Sequence, residues 1–145
     1  INLQYRIRKE NEWLIWTEDN KFGLYDSEQD TFSMGLNWFS GNKHEIRLKS
    51  QFVALQADNP QSLISDSGGY LYDSDDLIKP FTQGVVSFQV RYKYEIAPLS
   101  YLYLVYSKGG TSYDEDENYS KSGIFNQPWN NPSDEVYSIK FRLKY

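Results

Sequence analysis

The residues best suited to chemistry are a single histidine and several acidic side chains in segments predicted to be loops. His44 is the only histidine in the chain, and it follows a short turn predicted at Ser40–Lys43. A Ser–His hydrolase needs a nucleophile and an orienting acid around such a base, and the sequence near His44 suggests no such arrangement. We therefore predict no catalytic residues, and an enzyme is the function that the sequence supports least.

Two runs of acidic side chains in predicted loops could hold a calcium ion, which takes six to eight oxygen ligands. They are Asp73-Ser74-Asp75-Asp76 and the DEDE run at 114–117. Neither run has the spacing of an EF-hand loop, and the chain has no cysteine, no His/Cys zinc cluster and no phosphate-binding glycine loop. We predict no metal site and no cofactor. Solvated loops are the preferred interpretation, and sharing of divalent cations with lipopolysaccharide phosphates is a second one.

Seven stretches predict β-strands: six alternate between apolar and polar side chains with a period of two, and 12–17 is apolar, with two Trp and ambiguous faces. No comparable stretch has helical periodicity. The sequence therefore predicts an all-β fold, an antiparallel meander of about seven strands. The predicted strands are 2–8, 12–17, 31–39, 44–56, 85–96, 101–107 and 136–145.

One side of these strands is apolar and the other is charged. The apolar side includes Val86, Val90, Leu102, Leu104 and Ile139. The charged side suggests either a cationic wall that favours anionic solutes or a cross-strand ladder of ion pairs that stiffens an interior, and we prefer the ladder. In a membrane barrel these charged residues would face the lumen: Arg6, Arg8, Glu45, Arg47, Lys49, Arg91, Lys93, Glu95, Lys140, Arg142 and Lys144.

The predicted connections alternate between short and long. Bacterial outer-membrane barrels keep short turns on the periplasmic side and long loops outside. Counted back from a periplasmic C-terminus, each connection falls on the side that its length predicts. The short connections are Lys9–Asn11, Ser40–Lys43 and Ala97–Ser100, and the long ones are Glu18–Asp30, Asp58–Gly84 and Lys108–Asp134.

Composition agrees with a strand-built membrane protein and disfavours other classes. Aromatic residues make up 17% of the chain, and no apolar run approaches the length of a membrane helix. The net charge of -5 argues against nucleic-acid binding. Seven strands are too few for a bacterial barrel, so we expect further strands upstream of Ile1 and an open, curved sheet for this piece alone.

The ending YSIKFRLKY places five residues on one face of a strand. An alternating C-terminal strand with a terminal aromatic residue resembles the signal by which outer-membrane proteins are recognised by their insertion machinery. An amphipathic edge strand would alternate in the same way. The predicted signal residues are Tyr137, Ile139, Phe141, Leu143 and Tyr145.

Three stretches carry a family resemblance: 36–55 (LNWFSGNKHEIRLKSQFVAL), 88–110 (FQVRYKYEIAPLSYLYLVYSKGG) and 137–145. Together they resemble the C-terminal barrel region of the bacterial domain-of-unknown-function family number 5916. The chain departs from that family at Tyr101, where members usually carry an acidic residue. Members are much longer and usually carry an N-terminal domain similar to carbohydrate-binding module family nine. The resemblance therefore implies that residues 1–145 are the C-terminal portion of a barrel, with the N-terminal part of the protein absent.

We therefore expect a channel or membrane anchor in the outer membrane of a Gram-negative bacterium, in a protein linked to carbohydrate binding or uptake. The alternative is a soluble β-sandwich or lipocalin-like ligand-binding module. Expected partners are outer-membrane lipids, lipopolysaccharide, the insertion machinery, and carbohydrate through the absent domain. Trp129, in FNQPWNNPSD, suggests either a sugar platform or an anchor that fixes its loop to the barrel rim.

Overall fold

The sheet is a single antiparallel meander whose two edges remain unpaired. The computed structural model describes residues 1–115 and 120–144. The strand order is β1-β2-β3-β5-β6-β7, with β4 paired to the end of β3, and the sheet is not closed. The elements are β1 (Asn2–Glu18), β2 (Lys21–Ser40), β3 (His44–Ser65), β4 (Leu71–Asp73), β5 (Phe81–Ala97), β6 (Ser100–Asp114), α1 (Lys121–Asn130) and β7 (Asp134–Arg142).

The first two strands differ from the prediction. The stretches 2–8 and 12–17 are one strand, because the residues between them form an irregularity in the β1–β2 register and not a turn. Glu12 has a φ of 59° at this irregularity, which is a local distortion that leaves the strand direction intact. The long connection predicted at Glu18–Asp30 is also wrong. It is a tight turn at 19–20, after which β2 pairs with both β1 and β3.

The connections still divide the sheet into two ends. At one end, which we call the turn end, lie the short connections 41–43 and 98–99. At the other, the loop end, lie the tight turn 19–20 and the two longest connections, 66–80 and 115–133. Two of the three predicted long connections therefore lie at one end, as predicted, whereas the third is the tight turn 19–20 and contradicts the predicted alternation in length.

The register places the alternating side chains on two distinct faces. Ile46 lies opposite Tyr92, Tyr92 opposite Leu104, and Leu104 opposite Ile139. Because side chains alternate along each strand, the same face carries Leu48, Val90 and Phe141; we call it the apolar face. The opposite face, which carries Arg47, Arg91 and Lys140, is the polar face.

Helix α1 was not predicted from the sequence. It lies within the connection between β6 and β7 and packs against β5, β6 and β3. Ser120 caps its first turn, since the Ser120 hydroxyl accepts a hydrogen bond from the Gly123 amide at 3.2 Å. Within the described part of the chain, no helix is long and apolar enough to cross a membrane.

Candidate functional site

Helix α1 lies across the strands on the apolar face, near the loop end. Its ten residues are about 15 Å long, which matches the roughly 14 Å from β2 to β6 at the usual strand spacing. Phe125 meets Phe52 edge-on at 5.1 Å, and Trp129 meets Phe88 at 5.7 Å. Trp129 therefore anchors its segment to the sheet, which agrees with the predicted role of an anchor and not with that of a sugar platform.

Two glycines allow the helix to approach the sheet closely. A Cβ on Gly84 would lie 2.9 Å from the Ile124 Cγ2 atom, and one on Gly110 would lie 3.2 Å from the Pro128 Cβ atom and closer still to the Pro128 carbonyl oxygen. Ile124 and Pro128 are the largest fully buried side chains among the described residues. The absence of a side chain at Gly84 and Gly110 therefore leaves the space that the helix occupies.

An ion-pair cluster fixes the first turn of the helix to β2. The Lys121 ammonium contacts the carboxylates of Asp30 and of Glu28, the latter at 2.8 Å. Lys9 pairs with the other Glu28 oxygen at 2.8 Å, and the Tyr5 hydroxyl donates a hydrogen bond to Asp30. Asp30 is 5% exposed, so removing its partners would leave a buried carboxylate uncompensated.

The docked helix should loosen in acid as Glu28 becomes protonated. Hydrogen bonds from Lys121 and then from Lys9 lower the pKa of Glu28 from 4.5 to about 2. Because the pKa is lower in the docked state, the stabilisation from Glu28 is complete above pH 4.5 and is lost as the pH falls towards 2. We expect the fluorescence of Trp129 to shift to longer wavelength over that interval.

The matched control for this titration is Glu28→Gln, in which the shift across that pH interval should be much smaller. A Trp129→Phe variant identifies which tryptophan reports the change. Identical acid titrations of the parent protein and of Glu28→Gln would contradict the role of this carboxylate.

Towards the turn end the apolar face is uncovered. Leu104 is 38% exposed, Ile139 68% and Phe141 62%. In a lipid-facing wall we would expect Val86 to be uncovered as well, but it is buried beneath α1 at 3% exposure. The remaining predicted signal residues Tyr137 and Leu143 are exposed as well, and Tyr145 lies outside the described residues.

The polar face brings some of the predicted charged residues together and leaves others apart. Glu45 pairs with Arg47 and, at 3.7 Å, with Lys93, whose ammonium lies 4.5 Å from the centre of the Tyr101 ring. Lys93 thereby joins β3 to β6, as the predicted cross-strand ladder requires.

Other charged residues of the polar face lie at the same end or at a distance from this ladder. Arg91, Glu95, Lys140 and Arg142 are in register with it at the turn end. Lys49 is the next residue after Arg47 on the polar face of β3. Lys144 follows the end of β7, where its amide donates to the Ser100 hydroxyl at 3.1 Å. Arg6 and Arg8 lie apart on β1, where Arg8 pairs with Glu10 at 2.8 Å.

His44 lies on the apolar face beside aromatic residues. Its Nδ1 atom is 2.7 Å from the Tyr92 hydroxyl, and its ring stacks on Tyr94 at 4.9 Å between ring centres. Among the residues that the structure describes, the side-chain partners of this ring are tyrosines.

The acidic loop residues are held by local partners. The amides of Gly68 and Tyr70 donate to the Asp66 carboxylate at 2.8 and 3.0 Å, and these hydrogen bonds, that of Tyr70 first, lower its pKa. Asp73 accepts from Gln61, and Asp76 pairs with Lys21. In the portions described, no group of three acidic or histidine side chains is placed to hold a metal ion. Residues 116 and 117 of the DEDE run lie outside them.

The sequence contained a weak signal for helix α1, which the alternation of the strands did not predict. Ile124 and Pro128, and likewise Phe125 and Trp129, are four residues apart, which is helical spacing. Gly123 and Pro128 obscured this signal, since both residues disfavour helix interiors.

No protein-family model, no curated protein and no solved structure matches this chain.

Proposed function

We propose that this chain is a wall segment of an outer-membrane β-barrel, with its apolar face against lipid and its polar face towards the barrel interior. The observation that carries this proposal is the uncovered half of the apolar face. Isolated exposed apolar residues are ordinary, but contiguous exposed apolar surface marks an interaction site. Leu104, Ile139 and Phe141 form such a surface across two paired strands.

The height of the uncovered region suits a bilayer. From Phe88, beneath the helix, to Ile96, at the turn end, β5 advances about 26 Å along its axis. With the tilt of about 40° usual in membrane barrels, this gives roughly 20 Å of height, close to the lipid-facing band of about 25 Å in such proteins. Aromatic residues border the region on both sides, with Tyr106 and Tyr137 in ring contact at 4.8 Å towards the loop end and His44 and Tyr94 at the turn end.

Helix α1 marks the outer limit of this region. Its outward residues Ser122, Asn126 and Asn130 are polar and exposed. The helix therefore covers the apolar face near the loop end and presents a polar surface, which suits headgroups and water. Lipid and lipopolysaccharide headgroups are therefore the proposed neighbours of α1.

The unpaired edge strands β1 and β7 favour a segment of a barrel wall over a closed barrel, because exposed edges promote association with further strands. We propose that additional strands complete the wall, that the outer-membrane insertion machinery recognises β7, and that the protein serves as a channel or anchor in a carbohydrate-linked system. The family resemblance supports this last part.

The topology can be tested with single cysteines, because the chain contains none. Asp75→Cys, in the connection 66–80, should react with a membrane-impermeant maleimide in intact cells. Asn42→Cys, in the turn 41–43, should react only after the outer membrane is permeabilised. Equal labelling of the two positions in intact cells, or recovery of the protein in the soluble fraction, would contradict the proposal.

A further inference from the structure

The middle of the polar face contains a shallow groove of about 450 Å³ that spans β1, β2, β3 and β5. Its volume is within the range of ligand-binding sites, about 300–1,000 Å³. The groove is lined by carboxamides and hydroxyls, with a single cation. The lining side chains that matter here are Asn2, Gln4, Lys49, Gln51, Ser87 and Gln89.

The neutral polar side chains of this groove lack internal partners. Among the described residues, the side chains of Gln4, Gln51, Ser87 and Gln89 make no hydrogen bond. Elsewhere on the sheet comparable groups are paired, as where Gln29 donates to Thr31 at 3.3 Å. Each carboxamide offers two donors and one acceptor oxygen, so the groove presents several free hydrogen-bonding groups in one place.

Register puts these groups into two neighbouring rows. Gln4, Ser33, Gln51 and Ser87 form a row without charge, and the next row is Asn2, Gly35, Lys49 and Gln89. Gly35 has no side chain, which leaves the floor of the groove open. The arginine-rich row begins one step nearer the turn end, with Arg47 opposite Arg91. An anion would be attracted to that row, whereas among the residues that line the groove Lys49 is the single charged one and neutral hydrogen-bonding groups predominate.

An aromatic cluster lies on the same face towards the loop end. Phe81 stacks on Tyr113 at 5.4 Å and meets Tyr25 edge-on at 5.3 Å. The Tyr113 ring is 59% exposed, and Phe81 lies about 20 Å along β5 from Ser87. An exposed ring on the same face as free hydrogen-bonding groups suits an elongated solute with both an apolar ring face and hydroxyl groups.

We propose that this groove binds a neutral oligosaccharide, with the hydroxyls of one sugar on the carboxamides and the rest of the chain extending towards Tyr113. The inference rests on the proposed function, because it takes the polar face as the interior of the barrel. It goes further in placing a binding site on this chain and in specifying a neutral ligand.

The test is calorimetric titration of the protein in lauryldimethylamine oxide, a detergent that contains no sugar. The probes are neutral trisaccharides of glucose, mannose and N-acetylglucosamine, with a trisaccharide of galacturonic acid as the anionic comparison. We expect saturable binding of at least one neutral probe. The double variant Gln51→Ala/Gln89→Ala should weaken that binding about tenfold, since it removes two hydrogen-bonding groups.

The matched control is Gln29→Ala, which removes a carboxamide from the same face outside the groove and should leave affinity unchanged. Binding of the galacturonate alone, binding of no probe, or equal losses in the control and the double variant would overturn the inference. The cysteine-labelling experiment on the same protein separates this failure from failure of the proposed function, because labelling topology does not depend on the ligand.

Discussion

Replacing Ile139 by arginine should destabilise the protein in a bilayer by about 2–4 kcal/mol, the cost of a cation at mid-membrane on the lipid face of a barrel. Ile139 lies opposite Leu104 on the apolar face and is 68% exposed. In water, a substitution at so exposed a position usually changes stability by no more than about 0.5 kcal/mol. The unfolding free energy can be measured by denaturant titration of the protein in phospholipid vesicles. The size of its change shows whether lipid or water surrounds this side chain.

Ser138→Arg is the matched control for this substitution. Ser138 is the neighbouring residue on the same strand, is also exposed, and points to the polar face opposite Val105. We expect Ser138→Arg to fold with nearly parental stability. Equal stabilities of the Ile139→Arg and Ser138→Arg variants in vesicles would show that lipid does not contact the apolar face.

Gly110→Ala should displace helix α1 from the sheet, with a cost of about 1–3 kcal/mol, as is usual for overpacking. The new Cβ would collide with the Pro128 carbonyl, which is backbone and cannot rotate away as a side chain could. We expect the amides of α1 to exchange hydrogen faster in the variant, while the strand amides towards the turn end keep their protection.

Gly109→Ala provides the control one residue away. A Cβ at Gly109 would have the Val86 carbonyl oxygen as its nearest neighbour, at an unstrained 3.8 Å. Both variants change the same residue type in the same strand, so they differ chiefly in the clash with the helix. Helix exchange that rises equally in both variants would contradict the close docking of α1.

Alternation alone was sufficient to predict strands where one face is consistently apolar. β5 and β6 include the predicted stretches 85–96 and 101–107, because apolar residues such as Val86, Phe88 and Val90 repeat at every second position. The sequence was uninformative where both faces are polar. The segment DSEQD of β2 (26–30) has little intrinsic preference for a strand, and it is a strand because β1 and β3 pair with this part of β2 on both sides.

Helix α1 shows a second limit of reasoning from sequence. Its stability comes from contacts with residues distant in sequence, such as Lys121 with Glu28 and Phe125 with Phe52. Short helices are marginal without tertiary packing, and this one contains Gly123 and Pro128. Only the fold reveals that the glycines at 84 and 110 make room for it.

The candidate site could be predicted in part. The composition of the polar face followed from the alternation, so its charged residues were identified from the sequence. The separation into a charged region at the turn end and a neutral groove in the middle depends on the register between strands. For example, Gln51 and Ser87 face each other only because β3 and β5 pair at that offset.

The most direct test of the lipid-facing assignment is a nitroxide scan along β6 in phospholipid bilayers, from Leu102 to Ser107, using single cysteines. We expect labels at Leu102 and Leu104 to collide mainly with dissolved oxygen, and labels at Tyr103 and Val105 mainly with a water-soluble nickel chelate. Such alternation with a period of two would place hydrocarbon on the apolar face and water on the polar face. Labels at Leu102 and Leu104 that are reached by the nickel chelate, or that are shielded from both reagents by protein, would contradict the membrane assignment.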